Sequence, residues 1–220
     1  MKTLKFGRTT ILLSTLFQLY SCSGNKSVDN SYVEIDKAIF KDSIKSKVLT
    51  ITSVISPWYA WRGLIVNKMK ETIPQYQSIK GLNQKIFCLT ENQTLIGGIY
   101  FWKTKKDAQN WFNENWFERT KKKYGQKGIV HYYEIEKTET IINFDKSEIN
   151  FWTVLSYNEN ELLLNNKTVG LISMIYLKDG TNKNCVLTIW KNKDVAKKYF
   201  NDKKSQNIYF DSPFFLQNSK

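Results

Sequence analysis

Residues 102–112, WKTKKDAQNWF, and residues 190–200, WKNKDVAKKYF, share the pattern Trp-Lys-x-Lys-x-x-Ala-x-x-aromatic-Phe. The correspondence extends upstream. Gly170-Leu171 answers Gly81-Leu82, Ile175 answers Ile86, and Trp190-Lys191 answers Trp102-Lys103. Ala196, Tyr199 and Phe200 answer Ala108, Trp111 and Phe112. A pattern this long restricts the fold to two related halves, each with a hairpin that feeds a helix. The strand before the first copy, TLIGGIYFW, is apolar on both sides. Ile96, Tyr100 and Trp102 alternate with Leu95, Ile99 and Phe101. Helices can cover only one of those faces. The other would leave an apolar patch too large for a soluble chain unless a second sheet covers it.

The rest of the first half completes a β-α-β-β-α-β unit. VLTITSVI (48–55) is β-branched and alternating, which predicts a strand. Pro57 suits the first turn of a helix. Trp58, Trp61, Ile65, Met69 and Ile73 then fall on one helical face, and Pro74 is expected to end it. GLNQKIFCLTE (81–91) and TLIGGIYFW (94–102) form a hairpin. Ala108, Trp111, Phe112, Asn115 and Arg119 then mark the inward stripe of a second helix, and IVHYYEIE (129–136) is the fourth strand. In the second half INFWTVLSY (149–157) opens, NENELLLNNKT leaves room for only a shortened helix, and NIYFDSPFFLQ closes. There Pro213 implies an edge or a bulge. The expected class is α+β: tandem ferredoxin-like repeats at 47–140 and 141–220. Their bare sheet faces pack together and close a barrel within one chain. The repeat then substitutes for a homodimer, so the chain is expected to be a monomer.

The N-terminus adds an address. Lys2, Lys5 and Arg8 precede an apolar run, Ile11 to Tyr20, which is too short to span a bilayer. Leu19-Tyr20-Ser21-Cys22 ends it in the three-part form of a secretory signal. It resembles a bacterial lipoprotein signal, in which residues 1–21 are removed and Cys22 is lipidated. Residues 22–46 are then a polar tether, and the expected location is the cell envelope, the outer membrane before the inner. Loss of Lys2, Lys5 and Arg8 lowers the formal charge from +13 to +10. That surplus does not indicate nucleic acid. The lysines are scattered among asparagines, and Arg8, Arg62 and Arg119 are the only arginines, whereas base and phosphate recognition favours arginine. Cys88 and Cys185 fall in strand-like runs and are compatible with a disulfide or with two buried thiols.

Residues 48–135 resemble the YdhR-like monooxygenase family of the dimeric α+β barrel superfamily. The carrying stretches are ISPWYAWRGLIVNKM, SIKGLNQKIFCLTENQTLIGGIYFW with its Gly97-Gly98-Ile99-Tyr100 run, and the helix after it. The resemblance implies a cofactor-free oxygenase that deprotonates an electron-rich aromatic and lets the carbanion reduce dioxygen. The family helix carries a His where this chain has Asn115, and an amide cannot serve as a general base. His131, the one histidine, and Tyr133 are the other candidates for catalysis. Trp58, Arg62, Gly97, Gly98 and Trp102 are candidates for ligand binding, with Gly97 and Gly98 leaving room for a helix on one face and a ligand on the other. One histidine without clustered carboxylates points to no metal site, and no cofactor is expected. Two functions follow. The first is an envelope lipoprotein that binds a small hydrophobic or aromatic molecule in a cavity between the two sheets, its chemistry lost. The alternative is a cofactor-independent monooxygenase acting on an electron-rich aromatic.

Overall fold

A computed structural model describes residues 45–140, 151–157, 168–200 and 207–218. The signal, Cys22, the tether up to residue 44 and the shortened helix expected near residues 158–167 lie outside the described residues.

The strands are β1 (Val48–Ile55), β2 (Leu82–Thr90), β3 (Leu95–Trp102), β4 (Ile129–Thr140), β5 (Phe151–Ser156), β6 (Leu171–Asp179), β7 (Asn184–Trp190) and β8 (Asn207–Gln217). The helices are α1 (Arg62–Glu71), α2 (Ile73–Gln77), α3 (Lys105–Trp111), α4 (Glu114–Tyr124) and α5 (Lys193–Phe200). The eight strands close into one antiparallel barrel in the order β1-β3-β2-β8-β5-β7-β6-β4. The first four strands thus run β4-β1-β3-β2 and the last four β8-β5-β7-β6. The β2–β8 and β4–β6 pairings join the two sets. Opposite Pro213 the β2–β8 register shifts between Phe87 and Leu89, so the proline sits at an irregularity of the ladder, as its missing N–H requires.

Strand alternation sorts the apolar residues into two layers. Leu49, Ile51, Ile86, Ile99, Phe101, Phe151, Leu155, Ile175, Leu187, Ile189, Phe210 and Phe215 fill the barrel interior together with Cys88 and Cys185. The two cysteines form no disulfide with each other, and burial pushes the Cys88 thiol up to about 12. The opposite faces carry Trp102 and Trp190, both fully buried beneath helices. Trp102 packs on Ala108 and meets Phe112 edge-on at 5.7 Å and 80°. Trp190 packs on Ala196 and meets Phe200 at 5.8 Å and 75°. Each indole N–H donates to a threonine hydroxyl, Trp102 to Thr50 (2.9 Å) and Trp190 to Thr188 (2.8 Å). Gly81 and Gly170 share φ +78°, and the carbonyls of both accept from the residue after the matching tryptophan, Lys103 and Lys191, at 2.8 Å.

Three local expectations are corrected. The first helix begins at Arg62, not at Pro57, so Trp58 (95 % exposed) and Trp61 (67 % exposed) lie outside it and only Ile65 and Met69 of the expected face are buried in it. What holds the start is non-local: the Arg62 guanidinium grips the Asp211 carboxylate of β8 with two hydrogen bonds, one of them at 3.0 Å. Pro74 does not end that helix. It occupies the first turn of α2, where a missing N–H leaves no bond unmade. The stripe through Asn115 and Arg119 is interrupted as well. The chain leaves helical geometry at Phe112 (φ −87°, ψ 55°), and Asn113 caps a new helix, its side-chain oxygen accepting from the Trp116 N–H at 3.2 Å. The phase resets, and Trp116 and Thr120 become the buried face of α4.

Candidate functional site

The described residues of the barrel interior pack against one another, where a cavity between the two sheets is expected. A cavity of about 370 Å³ lies instead on the other side of the first sheet, between β1, β3 and β2 and the helices α1, α2 and α4. Register shows how its floor is built. Thr50, Tyr100 and Lys85 form one row across β1, β3 and β2 on the helix-facing side; Thr52, Gly98 and Phe87 form the next, and Val54, Ile96 and Leu89 the third. Gly98 is a gap in the middle row. A Cβ there would stand 2.8 Å from Lys85 Cε and 2.9 Å from Tyr100 Cε2, so the missing side chain is what lets both lean across the floor. Ile65, Met69 and Tyr76 form one wall and Trp116 and Thr120 the other. Tyr59, Lys68 and Lys123 also line the cavity and are exposed, which places them at its rim.

Lys85 dominates the chemistry. It is 3 % exposed, yet it lines the cavity. Its amine lies 3.0 Å from the centroid of the Tyr76 ring, 3.9 Å from that of Phe87 and 4.7 Å from that of Tyr100. Among the described residues no carboxylate acts on it; burial dominates and holds its pKa well below the ordinary lysine value, with only a smaller opposing effect from Cys88. The magnitudes agree with that direction. A desolvated cation–π contact is worth about 2 kcal/mol, whereas burying an unpaired ammonium costs several kcal/mol. The neutral amine, with a free lone pair, is therefore favoured. The Tyr100 hydroxyl donates to the Tyr76 hydroxyl at 3.5 Å. Burial raises the pKa of both phenols, Tyr100 the more strongly, so both keep their protons. The site thus holds a base or nucleophile beside two proton donors in an apolar chamber. Among the described residues no cluster of three or more His, Cys, Asp or Glu could bind a metal ion.

The residues singled out from sequence are not gathered in one place. Gly97 lines this cavity, but through its backbone. A Cβ on it would fall 1.9 Å from the Thr52 carbonyl oxygen, so the room at Gly97 is taken by the close approach of β1. The room at Gly98 is taken by Lys85 and Tyr100. Neither glycine makes way for a packed helix. Trp102 lies under α3 in the core, Trp58 points to solvent beside Tyr59, and Arg62 is engaged with Asp211. None of these three lines the cavity. Asn115 and His131 are exposed. Tyr133 is buried, shares a hydrogen bond with Tyr157 at 3.1 Å, and borders a different, smaller depression of about 210 Å³. Lys85, Tyr76 and Tyr100 were missed as a group. One signal was present: alternation in LNQKIFCLT puts a single lysine on the face of Phe87 and Leu89.

No protein-family model matches the chain, and no curated protein matches it in sequence. Solved structures match its fold. A putative monooxygenase from Fusobacterium nucleatum superposes with a TM-score of 0.56 at 9 % identity, over 78 % of this chain and 94 % of that one. An anthrone oxidase-like protein gives 0.55 at 10 %, over 81 % and 96 %. A putative monooxygenase from Lactobacillus acidophilus gives 0.50 at 11 %, over 79 % and 97 %. At such identities the shared property is the fold. The fold is an α+β barrel, the architecture it shares with these structures.

Proposed function

We propose that this protein binds a small aromatic molecule in the chamber between the first sheet and its helices. The observation that supports this best is the chamber itself, about 370 Å³, with apolar walls of Ile65, Met69, Phe87 and Trp116 and with Lys85, Tyr76 and Tyr100 among its polar groups. Apolar walls with a few convergent polar groups are the usual form of a small-molecule site. The strand orders β4-β1-β3-β2 and β8-β5-β7-β6, with the matched Gly81/Gly170 and Trp102/Trp190 devices, support a chain of two tandem ferredoxin-like repeats acting as its own dimer. The signal-like residues 1–22 support an envelope lipoprotein tethered through Cys22. Mass spectrometry of the mature N-terminus tests this: an uncleaved chain or an unmodified Cys22 refutes the anchor.

A second reading, cofactor-independent oxygenation, is favoured by one observation. The buried amine supplies the base that Asn115 cannot. It would take the proton of a weakly acidic aromatic held against the apolar walls, and the YdhR-like resemblance points the same way. Titration with anthrone-type phenols, read by quenching of Trp116 and by oxygen uptake, separates the two readings. Quenching with uptake supports the oxygenase, and quenching without uptake supports the binder. An absence of quenching removes both.

A further inference from the structure

We propose that the chamber captures aromatic aldehydes covalently, with the Lys85 amine as nucleophile and the Tyr76 and Tyr100 hydroxyls as its proton donors. This rests on the reading of the chamber as an aromatic binding site and goes beyond it by naming the reactive group and the ligand class. Four features carry it. Lys85 lines the cavity, and among the described residues no carboxylate engages its amine. Three aromatic rings surround it and would stack on a flat ligand. Two protonated hydroxyls, 3.5 Å apart, lie on the same rings. Gly98 puts no side chain on the floor, and the Lys85 stem and the Tyr100 ring lie in the room it leaves.

The step balances without an external oxidant or reductant. The lone pair of Nζ attacks the carbonyl carbon, and the C=O π bond breaks toward oxygen, which takes a proton from a tyrosine. The nitrogen then returns its extra proton to that tyrosinate, giving a neutral carbinolamine and a tyrosine ready to donate again. Protonation of the carbinolamine hydroxyl expels one water, and loss of the remaining N–H proton regenerates the tyrosine. The product is an imine between Lys85 and the aldehyde carbon. The aromatic walls hold the conjugated product flat.

The test uses the intact protein with cinnamaldehyde near neutral pH, followed by cyanoborohydride. That reagent delivers hydride to an imine carbon and fixes the adduct as a secondary amine. Near pH 7 an exposed lysine is neutral only about once in a few thousand molecules. Lys85 is therefore expected to carry the cinnamyl group about tenfold or more ahead of any surface lysine in a peptide map. Cinnamyl alcohol, which cannot form an imine, is expected to quench Trp116 and to protect Lys85. Lys85→Met is expected to lose the preferential adduct while still binding cinnamyl alcohol, which shows that the chamber survives the substitution. Labelling spread evenly over the lysines, with the alcohol still bound, overturns the inference and leaves the binding site standing. Failure of the alcohol to bind the wild-type protein overturns the binding reading and this inference with it.

Discussion

Lys85→Met is expected to stabilise the protein, and by an amount that depends on pH. The sign follows from where the proton resides. Burial holds the Lys85 pKa well below its ordinary value of 10.5. Above that value the amine is neutral in the folded and the unfolded chain, and burying it carries no protonation cost. As the pH falls below 10.5 the unfolded chain binds a proton that the folded chain refuses. Unfolding gains free energy until the folded-state pKa is reached, and below that point the loss of stability is constant. Methionine binds no proton in either state. A difference of one bound proton gives a slope of about 1.4 kcal/mol per pH unit. Between about pH 7 and about pH 9 the advantage of Lys85→Met over wild type is therefore expected to shrink by up to about 2.7 kcal/mol. Methionine matches the lysine stem in length and places sulfur against Tyr76 and Phe87, which suits aromatic faces.

Urea unfolding followed by tryptophan fluorescence measures this. Trp102 and Trp190 are fully buried in the two halves and report on each. Taking the difference between variant and wild type at each pH cancels the titrating groups that do not interact with Lys85. Cys88 does interact with it, but burial pushes its thiol up to about 12, so in the folded protein it keeps its proton over this span. The expected result is a pair of stability curves that converge as the pH rises toward 10.5. Curves that stay parallel over that whole span would show that Lys85 is protonated to the same extent in both states. The neutral amine, and the chemistry assigned to it, would then be refuted.

Other outcomes separate neighbouring residues that look alike in sequence. Trp58→Ala is expected to change stability by no more than about 0.5 kcal/mol, because the ring is 95 % exposed. Trp102→Ala is expected to cost about 3–5 kcal/mol, with the Thr50 hydroxyl left without its indole donor; urea midpoints compare the two. Gly97→Ala drives a Cβ into the backbone oxygen of Thr52 and is expected to cost about 1–3 kcal/mol by overpacking. Gly98→Ala meets the movable end of Lys85, so its expected signature is weakened quenching by the aromatic ligand with a smaller loss of stability. Asn115→Ala and His131→Ala are expected to leave both ligand quenching and oxygen uptake at wild-type levels, since neither side chain reaches the chamber; a loss in either variant would place the site elsewhere.

What the sequence disclosed and what it withheld divide along the range of the interactions. The two faces of β3 were legible because a strand has a strict period of two: Ile99 and Phe101 had to face one way, Tyr100 and Trp102 the other. The matched spacing of Trp102, Ala108 and Phe112 with Trp190, Ala196 and Phe200 was legible, and all six side chains are buried. Helix starts were not legible. Trp58 and Trp61 fit a helical stripe, but the partner that sets the start of α1 is Asp211, 149 residues away. Asn115 was placed inward by counting from Ala108 through a continuous helix. The new cap at Asn113 reset that count. Lys85 was passed over because a lysine in a strand is ordinarily assigned to solvent, although its phase with Phe87 and Leu89 said otherwise.

The location of the chamber follows from the way the barrel closes. Once two four-stranded sets join through β2–β8 and β4–β6, their inner faces lie against each other and must interdigitate, so a ligand there would have to displace core side chains. The outer face is covered by helices, which are rigid and cannot follow every contour of the sheet. α1 is drawn toward β8 by Arg62, and α4 is re-aimed by the break at Asn113. The strip of sheet between them is floored by Thr52 and Gly98, the two small residues of the middle row. Shortfall of side-chain volume at that strip, rather than any special loop, makes the cavity. The same shortfall leaves Lys85 room to bury its stem along the floor, and so the cavity and the reactive group have one origin. Filling the floor is then expected to remove both together: in Thr52→Leu/Gly98→Ala the aromatic quenching and the preferential reactivity of Lys85 should be lost in parallel, and retention of either one would separate the cavity from its chemistry.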